Sequence, residues 1–281
     1  MESISYTRLV ADLWDDLLSC LELRDVTDAA ARDDSALVFQ GDNLHLSYHR
    51  LFGGQLLAQF AAAASLTAPG KAVKSLHALF PREGLSDEPV RYEVTRHHEG
   101  GTFATLAIVA RQSKGVIATA SVSMHAAEDG RDLQTIAPVK ELPEADAQVE
   151  LGLIPWETRS AASLDSPEAG HPEFSLWMRT PAVGQEHAAA LAAYATDLTL
   201  IGTALRPVDG VSQGDAGKAF TSAVTSHTVW FHRPFRTDEW LLLRQHSPLL
   251  AHGRCFGRGD ILTADGALVA SYAQEALLRF R

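Results

Sequence analysis

Apolar and polar residues alternate along this chain in two rhythms, one helical and one of period two, and the rhythms recur in the same order twice. Residues 8–24 place Leu9, Leu13, Leu17, Leu18 and Leu21 at helical spacing, which predicts a short amphipathic helix laid against the body. Residues 36–41 read as a strand. The stretch Phe52-Gly-Gly-Gln-Leu-Leu-Ala-Gln-Phe-Ala-Ala-Ala-Ala-Ser-Leu66 reads as a helix apolar almost all the way round, a pattern that demands enclosure on every side. Strand segments follow at 75–80, 90–97, 102–111 and 116–125, punctuated by Gly84, Gly100, Gly101 and Gly115. One buried helix followed by an antiparallel sheet is the expected unit.

From residue 126 to about 167 the composition shifts to Asp, Glu, Pro and Ala with weak periodicity, which marks a linker. The same grammar then returns: a strand at 174–179, an apolar helix over 186–205, and strands near 221–232, 239–246, 254–263 and 268–278. The anchor of this internal repeat is Gly115-Val-Ile-Ala-Thr-Ala-Ser-Val-Ser-Met124 against Gly266-Ala-Leu-Val-Ala-Ser-Tyr-Ala-Gln-Glu275. The expected organisation is an N-terminal helical segment (1–34), a first unit (35–127), a linker (128–167) and a second unit (168–281), in the α+β class.

At 281 residues and 46% hydrophobic content the chain can bury one large core or two of ordinary size. Its 24 basic against 35 acidic residues argue against broad phosphate-backbone binding, so nucleic acid is not an expected partner, although a local basic pocket for an anionic ligand fits. Two cysteines, Cys20 and Cys255, form no C-x-x-C pair and are expected to be free thiols. The amino terminus lacks a basic segment followed by an apolar one, and no uninterrupted apolar run is long enough to span a bilayer, so a cytoplasmic location is the expectation.

Asp197 stands inside the greasy stretch Leu191-Ala-Ala-Tyr-Ala-Thr-Asp-Leu-Thr-Leu-Ile201. Its neighbours at helical spacing are Ala193, Tyr194, Leu200 and Ile201, so no Lys or Arg one turn away offsets the cost of burying it. Such a residue is a candidate for chemistry. On the last strand, alternation puts Gln274 on the more apolar face with Leu268, Ala270, Tyr272, Ala276 and Leu278. Its carboxamide either satisfies a core hydrogen bond or binds a water whose proton a carboxylate removes.

Other signals carry less. Gly210-Val-Ser-Gln-Gly214 matches the G-x-S-x-G elbow, which would make Ser212 a nucleophile, but no buried strand precedes it and no helix follows, so a loop is expected. His97, His98, His227, His232, His246 and His252 show no metal-ligand spacing and read as surface or satisfied-strand histidines, so no metal or redox cofactor is implied. Arg258-Gly-Asp260 reads as a turn. Arg233, Arg254 and Arg258 either contact ligand phosphates or are solvated strand-end charges.

Leu51-Phe-Gly-Gly-Gln-Leu-Leu-Ala-Gln59, Ala195-Thr-Asp-Leu198, Val229-Trp-Phe-His-Arg-Pro-Phe235 with Glu239-Trp-Leu-Leu242, and Asp265-Gly-Ala-Leu-Val-Ala-Ser-Tyr-Ala-Gln-Glu275 together resemble the acyl-CoA thioesterase II (TesB-like) family over nearly the whole chain. The resemblance implies a double hot-dog, two curved antiparallel sheets each wrapped around a central helix and packed side by side, with an acyl tunnel formed by helices and sheet faces. It implies an acyl-CoA substrate hydrolysed by direct attack of water, with Asp197 and Gln274 as the catalytic acid and amide. By analogy with other hot-dog proteins it also implies a homo-oligomer, a dimer of double units or higher. Within that picture Gly53, Gly54 and Gln55 open the first helix as substrate-binding residues: backbone N–H groups there either stabilise an oxyanion, or the glycines serve tight helix–sheet packing. Arg233 and Arg258 are the candidate phosphate contacts.

One departure stands out. The family's third catalytic residue, a Thr or Ser three positions before the strand histidine, falls on Val224 when counted back from His227. Thr225 is adjacent, but a one-residue step turns a side chain to the opposite face unless a bulge intervenes. Either another hydroxyl such as Thr199 or Ser222 serves, or activity is reduced, or the protein binds acyl thioesters without cleaving them rapidly.

Overall fold

The structure, a computed structural model, describes residues 2–28, 36–46 and 50–281, with side chains described from residue 12 onward. By their contacts these residues form two compact units, 1–131 with 189–194, and 132–188 with 195–281.

In the first unit the N-terminal helix α1 spans Glu2–Leu21, starting earlier than its leucine spacing suggested. Trp14, Leu17, Cys20 and Leu21 are buried, Leu17 lying three or four residues from each of the others, and α1 packs on the central helix α2 (Gly53–Thr67). The Leu9 side chain and residues 29–34 lie outside the described residues. The sheet holds β1 (Arg24–Asp25), β2 (Ala36–Gly41), β3 (Ala72–Leu79), β4 (Val90–Glu99), β5 (Phe103–Gln112) and β6 (Gly115–His125), in the order β1-β2-β4-β5-β6-β3 and antiparallel throughout. Period-two burial on these strands turns Tyr92, Val94, Leu106, Ile108, Ala118, Ala120 and Val122 inward, and α2 answers with Leu56, Leu57, Phe60, Ala61, Ala63 and Ala64. Short alanines on both sides let the helix lie close to the sheet.

The second unit holds β7 (Glu157–Arg159), β8 (Glu173–Arg179), β9 (Phe220–Phe231), β10 (Leu241–Ala251), β11 (Arg254–Thr263) and β12 (Leu268–Phe280), ordered β9-β12-β11-β10-β8-β7 and again antiparallel. The β10–β11 hairpin turns on His252 and Gly253, both at positive φ (51° and 73°), the geometry a two-residue turn needs to match strand twist. The helix expected over 186–205 is two pieces, α3 (Ala188–Thr196) and α4 (Leu200–Leu205), the latter packed on β10, β11 and β12. By length and composition alone Gln185–Leu205 passes for a membrane-crossing segment, but 83% of its most apolar window is buried inside the protein, as a core helix is.

Two further expectations change. Residues 132–167 pack onto the second unit, with Ile136, Val139 and Leu142 against buried Trp177, Leu242 and Leu262, and β7 lies within that segment. Arg258-Gly259-Asp260 is the middle of β11, and no turn. Gly259 is needed there because the Tyr272 ring lies where a Cβ would project, 2.5 Å from its Cζ. Cys20 and Cys255 are free and buried, one in each unit.

Candidate active site

The break between α3 and α4 falls on Asp197-Leu198-Thr199, with neither glycine nor proline to cause it. Asp and Thr hold helices weakly because their short polar side chains bond elsewhere, and Thr199 does so here. Thr199 Oγ1 accepts a hydrogen bond from Gln245 Nε2 on β10 at 2.5 Å. Asp197 caps the end of α3 and is only 5% exposed, with its Oδ1 3.8 Å from His227 Nδ1 on β9.

His227 is the centre of the cluster. It is fully buried, pairs across the strands with Gln274 on β12, and has its Nδ1 2.8 Å from Gln274 Oε1 and its Nε2 2.9 Å from Thr196 Oγ1. Burial pushes the imidazole down to about 4, against a smaller upward pull from the Gln274 hydrogen bond, so it is neutral at pH 7. A neutral ring facing a carbonyl-type oxygen carries its hydrogen on Nδ1, which donates to Gln274, and its Nε2 lone pair accepts from the Thr196 hydroxyl. The Tyr272 ring stacks parallel to it at 6.3 Å.

Gln274 is 2% exposed, and its Nε2 has no hydrogen-bond partner among the described residues. A buried donor left so costs about 1–3 kcal/mol. The row it belongs to faces the helix: Gln274 pairs with Gly257, and a Cβ on Gly257 would meet Leu200 of α4 at 2.7 Å. Asp197, His227 and Gln274 therefore meet on the inner side of the sheet. From sequence alone His227 reads as an ordinary strand histidine, and no local pattern singles out Thr196. Their part depends on cross-strand register, which no local pattern reveals.

Thr225 sits at a β-bulge: Glu275 pairs with Ser226 and Ala276 with Val224, which leaves Thr225 as the extra residue. Its hydroxyl donates to the Glu275 carbonyl at 3.0 Å. The apolar Val224 thus occupies the position opposite Ala276. Thr199 is committed to Gln245, and Ser222 pairs with Leu278, remote from Gln274 along the strand.

The other sequence-derived candidates lie elsewhere. Gly53 and Gly54 open α2, where a Cβ on Gly54 would come within 2.5 Å of the Tyr194 carbonyl oxygen. Gln55 is bound into a buried network of the first unit, donating to Asn43 Oδ1 (2.8 Å) and Gln59 Oε1 (3.2 Å) and accepting from Leu44 N (3.1 Å). Arg233 grips Asp132 in a two-pronged pair and donates to Gln134 and the Leu268 carbonyl. Arg258 pairs with Ala273, one residue from the Gly257–Gln274 row, and so faces away from Asp197. With Trp230, Arg244 and His246 it lines a groove of about 1030 Å³ on the sheet's other side. Ser212 caps a single 3-10 turn, its hydroxyl on Asp215. Among the described residues no three His, Cys, Asp or Glu come together to hold a metal ion.

Two sheets each wrapped around a helix, with a buried Asp–His–Gln cluster in the second, define a double hot-dog protein of the thioesterase type. Models described as the acyl-CoA thioesterase N-terminal and C-terminal domains match residues 45–125 and 125–278, and the chain belongs to the acyl-CoA thioesterase II (TesB-like) family. It is 30% identical to acyl-CoA thioesterase 2 of Haemophilus influenzae, over 96% of this chain and 99% of that one. It is 27% identical to human acyl-coenzyme A thioesterase 8, over 87% and 85%. The crystal structure of acyl-CoA thioesterase II TesB2 from Mycobacterium marinum superposes with a TM-score of 0.76 at 28% identity, covering 94% of this chain and 97% of that one.

Proposed function

We propose that the protein hydrolyses acyl-CoA thioesters to a carboxylic acid and free CoA, with the attacking water held between Asp197 and Gln274. One observation carries this reading: a carboxylate from a helix break and an amide from the last strand converge, buried, on one histidine, and the amide keeps a donor without a protein partner among the described residues. Asp197 takes the proton of the water as its oxygen bonds to the thioester carbonyl carbon. The tetrahedral adduct then expels the thiolate, which receives the proton. A thiol's ordinary pKa near 8.5 makes that group leave without strong acid assistance.

Thiol release measured over short, medium, long and aromatic acyl-CoAs tests the activity and its chain preference. Asp197→Asn should lower kcat by roughly 10²–10⁴-fold with the unfolding midpoint retained. Undiminished turnover in that variant would sink the assignment.

A second reading has its own observation. Val224 offers no hydroxyl, and that of Thr225 is spent on the Glu275 carbonyl. In this reading the protein binds acyl thioesters and cleaves them slowly. Acyl-CoA binding by calorimetry without thiol release supports it, and multiple-turnover release excludes it.

A further inference from the structure

Resting on the hydrolytic reading above, we propose that His227 is a positioning residue: its Nδ1–H fixes the Gln274 carboxamide with Nε2 turned to the reacting groups, and the Thr196 hydroxyl fixes the ring.

A glutamine side chain has three torsions, and a terminal amide turns readily about the last of them. Among the described residues the one side-chain partner of the Gln274 amide is His227, at 2.8 Å on Oε1. Reversing the amide would set two donors face to face, so the contact selects the orientation in which Nε2 is the outward group. The ring cannot swing to release it. The Thr196 hydroxyl holds Nε2 at 2.9 Å, Tyr272 stacks on one face at an interplanar angle of 10°, and no part of the ring reaches solvent. The same Nδ1 lies 3.8 Å from Asp197 Oδ1, so one ring sets the separation of the two groups that hold the water. The arrangement also gives Thr196, which stands beside the catalytic aspartate, a part: its hydroxyl anchors the imidazole through Nε2.

Asp197–His227–Thr196 has the order of a nucleophile triad, but Nδ1 is nearer to Gln274 than to Asp197, and Thr196 is fully buried in the last turn of α3. That geometry gives Thr196 a supporting part.

The test is steady-state kinetics on His227→Ala, His227→Gln and His227→Asn, with Gln274→Ala, Thr196→Val and the His227→Ala/Gln274→Ala double variant. His227→Ala and His227→Gln should lose about ten- to hundredfold in kcat with KM within about twofold, because a mispositioned group costs that much. His227→Asn keeps a donor where Nδ1 stood and should recover to within about threefold of the wild type. The double variant should fall no lower than Gln274→Ala alone, since His227 acts through that amide. Should His227→Ala not fold, Thr196→Val serves: a several-fold loss in the wild-type background and none beside His227→Asn. Wild-type kcat in His227→Ala, an Asn variant no better than Gln, additive losses in the double variant, or complete loss of turnover in Thr196→Val would each overturn the proposal. If Asp197→Asn and Gln274→Ala are dead while His227→Ala is fully active, this inference alone fails. If Asp197→Asn is fully active, the hydrolytic reading fails and takes this one with it.

Discussion

Burial forces a choice on His227. Its pKa of about 4 in the folded protein lies below the ordinary 6.5, so the unfolded chain takes up the proton first as the pH falls. The stability tied to the neutral ring is complete above pH 6.5 and lost as the pH drops from 6.5 through 4, on the order of 3 kcal/mol in all. Urea midpoints measured from pH 7.5 to 4 should therefore fall more steeply for the wild type than for His227→Asn, and parallel curves would contradict the assignment. Asp197 and Gln274 were legible from sequence because each is a polar residue in an apolar pattern, and the energetic penalty of that placement is itself the signal. His227 was not: it is one of 12 histidines, in a strand where polar and apolar residues mix, and its partners arrive from a helix end and from another strand.

The elements were legible where a period ran long enough to register. The long strands fell within a few residues of expectation, whereas β1 and β7, of two and three residues, are too short to show alternation. The α3–α4 break lacked any glycine or proline to announce it, and the bulge at Thr225 is visible only through pairing with β12. Gly259 shows how closely one strand element and the site are joined. A Cβ there would sit 2.6 Å from the Tyr272 hydroxyl and 2.9 Å from the Arg244 carbonyl oxygen, so side chain or backbone must shift. Gly259→Ala should cost about 1–3 kcal/mol in urea unfolding. It should also lower kcat, because Tyr272 is stacked on His227. Unaltered stability would show that the ring relocates freely.

For the molecule as a whole, the segment read as a linker is a strap. Its apolar anchors, Ile136, Val139 and Leu142, are too sparse among Asp, Glu and Pro to form a period, yet they cover Trp177, Leu242 and Leu262. Arg159 and Arg179 clasp the Trp240 ring at 4.7 and 4.8 Å while both bind Glu157, and Arg233 ties down Asp132 and Gln134. Arg233→Ala should accordingly leave the KM for acyl-CoA within about twofold and speed proteolytic cutting of residues 126–143, as expected for a tether lost from a surface segment. A large rise in KM would instead make Arg233 a ligand contact. The two buried thiols have a practical bearing on every such assay. Desolvation pushes Cys20 up to about 12 and Cys255 to about 11, so neither offers a reactive thiolate to an aromatic disulfide reagent at neutral pH. Colour developed during turnover then reports released coenzyme against a silent protein background. When background does appear, the modified peptide will identify which half of the polypeptide opened first.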